Sequence, residues 1–128
     1  QGYVIAIFNL GVMCENGTGL ERDAKRAVGL YAIAAEAGLA AAQYNLGVLY
    51  ATGDGLVLDL IKARDLFATA AAQGHKMAEE NLTTINETLE FSIFKFATQD
   101  NISITGNSQP DLSFSFFPSV TEFSSYPN

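Results

Sequence analysis

The chain holds 128 residues, the size of one ordinary domain, and 48% of them are hydrophobic against 16% charged, so it can bury a core. Seven basic and fourteen acidic side chains leave a net charge of −7, which argues against a surface built to bind nucleic acid or anionic lipid. One cysteine, Cys14, and one histidine, His75, exclude a disulfide framework and a multi-cysteine or His-rich metal centre. No apolar run reaches the roughly 18 residues of a membrane span, and no cofactor is implied.

From the amino end, Gly2-Tyr3-Val4-Ile5-Ala6-Ile7-Phe8 is apolar but lacks the basic flank that a secretory signal carries. The organising feature begins here. Shifted by 36 residues, Ala6 falls on Ala42, Asn9 on Asn45, Leu10 on Leu46 and Gly11 on Gly47. Gly17, Gly19 and Asp23 then fall on Gly53, Gly55 and Asp59; Ala27, Leu30 and Gly38 fall on Ala63, Leu66 and Gly74. Ala78, Asn81 and Leu82 continue the register into a third unit.

Each unit reads as two helices. Gly17-Thr18-Gly19 and Gly53-Asp54-Gly55 supply turns, and Asp23 and Asp59 sit where an N-cap accepts the first amides of the second helix. Ala27, Leu30, Tyr31 and Ala34, and Ala63, Leu66, Phe67 and Ala70, form its apolar face, and Gly38 or Gly74 ends it. Helices are predicted near 4–15, 24–37, 40–51, 60–73 and from 76 onward. In-chain glycines at Gly11 and Gly47 cost about 1 kcal/mol of helix propensity, tolerable where a neighbouring helix must come close.

The run Ala42-Gln43-Tyr44-Asn45-Leu46-Gly47-Val48-Leu49-Tyr50, with Gly53-Asp54-Gly55, Asp59, Lys62-Ala63, Phe67, Ala70-Ala71 and Gly74, resembles the Sel-1-like repeat (SLR) family, relatives of the tetratricopeptide repeats. The resemblance covers about residues 2–82. It departs at Cys14, where the family usually carries tyrosine, and at Thr83, which replaces a glycine. It implies an all-α, helix-turn-helix solenoid that serves as an adaptor or scaffold in protein–protein interaction and is not an enzyme. The expected organisation is a solenoid over 1–97, with units at about 3–38, 39–74 and a partial 75–97.

Beyond residue 85 the composition changes: all eight serines, all three prolines and seven of nine phenylalanines lie there. Through residue 97 a stripe of Ala78, Leu82, Ile85, Leu89, Ile93 and Phe96 predicts a long helix covering the open end of the solenoid. Residues 98–128 form a tail whose alternation, as in Leu112-Ser113-Phe114-Ser115-Phe116, fits weak β structure or poor order.

The candidate site is the face formed by the first helix of each unit, with Phe8, Asn9, Val12, Tyr44, Asn45, Val48 and Asn81 as contacts for a peptide. Asn9, Asn45 and Asn81 hold identical offsets and stack into a row, and asparagine can pair with both groups of a peptide unit. The position resembles one used by tetratricopeptide clamps, but the basic residues such clamps need are replaced by Phe8, Tyr44, Ile5 and Ala41, which implies an apolar groove. The alternative is that each asparagine bonds within its own repeat and the chain is a spacer in a longer array.

The glycine turns lack the continuation of a phosphate loop, and Asp54 and Asp59 lack the spacing of a calcium loop. No nucleophile and base cluster, and no metal ligand set, is present in the pattern. His75 is expected as a linker histidine near a helix C-terminus, where a cation is favourable, Cys14 as a buried filler, and Glu15 as a solvated helix position. Val4, Ile5, Ile7 and Phe8 are expected to be partly exposed, favouring self-association through the N-terminal helix.

Overall fold

The structure, a computed structural model, describes residues 2–99. Five helices follow in order: α1 (Gly2–Asn16), α2 (Ala24–Glu36), α3 (Ala40–Thr52), α4 (Leu60–Ala72) and α5 (Lys76–Ala97). No strand occurs among the described residues, and the β reading of the tail lies outside them.

The local chemistry repeats at the same 36-residue spacing as the sequence. Gly17 and Gly53, both at φ 74°, close α1 and α3 in the left-handed region, and their amides donate to Met13 O and Leu49 O at 2.8 Å. The turn is then sewn to the helix it has left: Asp23 N donates to Cys14 O at 2.8 Å and Asp59 N to Tyr50 O at 3.0 Å. The same aspartates cap the second helix of each unit. Asp23 Oδ1 accepts from Arg26 N at 3.1 Å, and Asp59 Oδ1 accepts from Ile61 N and Lys62 N at 3.1 Å.

Packing repeats too. Gly11 and Gly47 face the second helix of their own unit, and a β-carbon at either site would lie 2.7 Å from Cε1 of Tyr31 or of Phe67. Each glycine is therefore the floor on which a buried ring lies. A second ring closes over it: Phe8 stands 5.7 Å from Tyr31 and Tyr44 stands 5.8 Å from Phe67, centroid to centroid, both tilted. Alanines 27, 34, 41, 42, 63, 70 and 78 are all fully buried, so backbones approach closely around these pairs. The first core joins α1, α2 and α3 through Phe8, Tyr31, Ala42 and Leu49, and the second joins α3, α4 and α5 through Tyr44, Phe67, Ala78 and Ile85.

One expectation is corrected by this packing and another is extended. Phe8 is completely buried, because it turns inward onto Tyr31, whereas Val4, Ile5 and Ile7 are half-buried as expected. His75 stands in the link just after α4, as expected, and has a second role. It is the N-cap of α5, its Nδ1 accepting from Ala78 N at 3.2 Å while its ring stacks on Tyr44 at 4.7 Å. With only His75 between Gly74 and α5, the position after one helix also starts the next.

The fifth helix has 22 residues against 13 in α4. Leu89 and Phe91 occupy the register of Gly53 and Gly55, so nothing there favours positive φ and the helix runs on where earlier units turn. At 1.5 Å per residue, α5 outruns α4 by about 13 Å.

The ring seat gives a prediction of opposite signs at two helical glycines. Gly47→Ala adds a methyl 2.7 Å from a buried ring and should destabilise the chain by about 1–3 kcal/mol despite better helix propensity. Gly29→Ala on α2, where a β-carbon meets nothing within 4 Å, should stabilise by about 0.5–1 kcal/mol. Urea unfolding midpoints measure both.

Candidate functional site

Helices α1, α3 and α5 open successive units, and the asparagines at their shared offset fall differently along the row. Asn45, in the central helix, is fully buried; Asn81 is buried; Asn9 is half-buried. Asn81 Nδ2 donates to Tyr44 Oη over a long 3.5 Å, so this asparagine bonds to the preceding unit rather than within its own. The other expected contacts are also inside: Phe8, Val12, Tyr44 and Val48 are all buried. As packed, Phe8 and Tyr44 cannot anchor an incoming segment, because their rings already lie against Tyr31 and Phe67.

Burial of α3 has a simple cause. Ala40-Ala41-Ala42-Gln43-Tyr44-Asn45-Leu46-Gly47-Val48-Leu49 is apolar nearly all round, and a helix of that kind is enclosed rather than laid on a surface. Every residue from Ala41 to Leu49 is buried, with α1 and α2 on one side and α4 and α5 on the other. Its one glutamine is bonded on both sides. Gln43 Nε2 donates to Ala35 O at 3.2 Å, and Gln73 Nε2 reaches both Gln43 Oε1 at 3.0 Å and Gly38 O at 3.1 Å.

The first junction lacks that filling. Ala37 and Leu39 stand at the register of Gln73 and His75, and neither can reproduce the glutamine's reach or the histidine's stack. An open apolar crevice of about 250 Å³ lies there, lined by Val4, Ile5, Ala37, Gly38 and Leu39. Exposed side chains on the same set of first helices include Tyr3 and Met77. Among the described residues no three His, Cys, Asp or Glu side chains stand close enough to hold a metal ion, and no helix is long and apolar enough to cross a membrane.

One buried polar pair departs from expectation. Glu15 is 5% exposed, not solvated, and accepts a 2.7 Å hydrogen bond from Tyr31 Oη. The signal for it lies in the internal alignment: where the first unit has Glu15 and Tyr31, the second has Ala51 and Phe67, so carboxylate and hydroxyl are present together or absent together.

Geometry of this kind defines a class, a stack of two-helix repeats with small residues at the helix crossings. Comparison with known proteins is specific: a model of the Sel1 repeat family matches residues 4–39 and 40–75, and the chain belongs to that family. A crystal structure of a Sel1 repeat protein from Oxalobacter formigenes superposes with TM-score 0.64 at 34% identity, covering 68% of this chain and 35% of that one. The protective antigen c5321 of uropathogenic Escherichia coli strains, which displays an SLR fold, superposes with TM-score 0.62 at 40% identity, covering 63% of this chain and 17% of that one. The chain therefore spans about a third and about a sixth of the length of these two relatives. A search of curated proteins found no match.

The Glu15–Tyr31 pair can be tested against the chain's own second unit. Tyr31→Phe alone should cost about 1–3 kcal/mol by withdrawing a donor from a buried carboxylate. Glu15→Ala with Tyr31→Phe, which copies Ala51 and Phe67, should recover most of that loss. A thermal-unfolding double-mutant cycle reads the coupling.

Proposed function

We propose that this chain is a binding scaffold, without catalysis of its own, that holds a peptide or protein segment along the row of first helices, at accessible positions of α1 and α5 on either side of the enclosed α3. The observation that carries the reading is the pair of Sel1 units in unbroken register, because such repeats generally mediate protein interactions. Five consecutive helices locked by repeated ring seats also suit a rigid platform better than a reaction centre.

In this reading the buried residues of the asparagine row shape the platform, and their more exposed neighbours make the contacts. Ile5 on α1 and Met77 on α5 are accessible positions along the two outer helices. The crevice beside Val4, Ile5 and Leu39 fits one apolar side chain of the bound segment. The full burial of Asn45 and the bond from Asn81 to Tyr44 favour a second reading, in which the row serves packing alone and the chain is a spacer within a longer array.

Affinity capture from a lysate of the source organism, followed by mass spectrometry, separates the two. An Ile5→Asp/Met77→Asp variant with wild-type helicity should lose a captured protein by about ten-fold, which corresponds to about 1.4 kcal/mol of binding energy. Capture unchanged by the double substitution would move the contact off this face and favour the spacer.

A further inference from the structure

Helix α1 is apolar nearly all round: it carries no lysine, arginine or aspartate, and its one carboxylate, Glu15, is buried against Tyr31. Helix α3 has the same character and is enclosed, whereas α1 leaves one stripe in water. Tyr3 is 78% exposed and Met13 36%, Ala6 is exposed and Leu10 is half-buried. Spaced by three, four and three residues, these side chains share one side of the helix. Phe8 and Gly11 meet α2 on a different side.

The chain uses the same stripe twice more. At its register stand Leu39, Ala42, Leu46 and Leu49 in the second unit, and His75, Ala78, Leu82 and Ile85 in the third. Ala42, Leu46 and Leu49 are buried in the core that α3 shares with α2, and Ala78 and Ile85 in the core that α5 shares with α4. The stripe on α1 is thus a third instance of a packing face, and the one left open among the described residues. A contiguous apolar surface of this kind is costly to leave in water and marks a surface that is covered.

We propose that the cover is a second copy of this chain, paired through α1 about a two-fold axis at the level of Phe8. Self-pairing goes beyond the scaffold reading and does not depend on it. The stripe is its own complement. Tyr3 and Met13 lie five residues either side of Phe8, and Ala6 and Leu10 lie two. With the two helices antiparallel, Tyr3 therefore meets Met13 of the second copy and Ala6 meets its Leu10, alike at both ends of the contact. The small Ala6 leaves room for the leucine, and a thioether beside an aromatic ring is a favourable contact. A foreign partner would need no such symmetry in the stripe; a second copy does. Charge does not oppose the approach either. The chain carries a net charge of −7, yet no charged side chain is exposed on α1, so the two copies meet where neither presents an ion.

Sedimentation equilibrium of the full chain, from about 1 μM to about 1 mM, should show a reversible monomer–dimer equilibrium, as suits a contact of one helix per copy. Tyr3→Lys and Met13→Glu, each at an exposed side chain, should each weaken the dimer by about ten-fold. The Tyr3→Lys/Met13→Glu chain should recover to within about three-fold of the wild type, because the axis sets each new ammonium beside the new carboxylate of the other copy. The two positions stand about 15 Å apart along their own helix, so an ion pair within one chain cannot mimic that rescue. Unchanged helicity by circular dichroism shows that every variant keeps the fold. A chain that stays monomeric throughout, a dimer indifferent to both single substitutions, or a double variant no better than the singles would each overturn the proposal.

Discussion

A ring lying on a glycine is the contact on which the rest of this structure depends. With no β-carbon at Gly11 or Gly47, the first helix of each unit lets Tyr31 or Phe67 settle against its backbone, at a distance a methyl group could not share. That approach brings the alanines of both helices into contact and leaves room for a second ring, Phe8 or Tyr44, to close the pair. The glycines sacrifice about 1 kcal/mol of helix propensity each, and the buried aromatic surface more than offsets it. Because the arrangement recurs every 36 residues, the units adopt the same crossing and stack into a solenoid.

Differences between the units are as informative as their likeness. The first unit tolerates a carboxylate in its interior because Tyr31 supplies a hydroxyl, and the second needs neither. The second junction is filled by Gln73 and His75, which tie the end of α4 and the start of α5 to Gly38, Gln43 and Tyr44, whereas Ala37 and Leu39 leave a crevice at the first. The third unit opens like the others, with Ala78 and Ile85 in the core, and then departs, since without the turn glycines its helix runs on. The buried contacts thus centre on α3 and its neighbours, while the surfaces that differ from unit to unit sit at the two outer helices and along the turn edge.

The helix positions and their order were legible in the sequence because the features that set them are local. Asp23 and Asp59 mark helix starts, Gly17 and Gly53 mark ends, and the repeat places each twice. Burial was less legible. Helical spacing puts Phe8, Asn9 and Val12, or Tyr44, Asn45 and Val48, on the first helix of a unit, but whether that side faces solvent depends on which neighbours close over it, and no local pattern states that. The near-continuous apolar run of α3 was the available sign that its whole circumference is covered. Glu15 was misplaced for a related reason: a lone carboxylate reads as solvated until its partner, 16 residues on, is brought to it by the fold.

The most direct measurement is a double-mutant cycle on the seat itself, combining Gly47→Ala with Phe67→Leu and following unfolding in urea. If ring and glycine are one unit, the added methyl at position 47 should be costly opposite the native Phe67 ring. Opposite the smaller leucine it should be close to neutral or stabilising, a coupling of about 1–3 kcal/mol. Strict additivity of the two substitutions would mean that Gly47 is not the floor of the Phe67 ring, and would contradict the contact on which the solenoid is built.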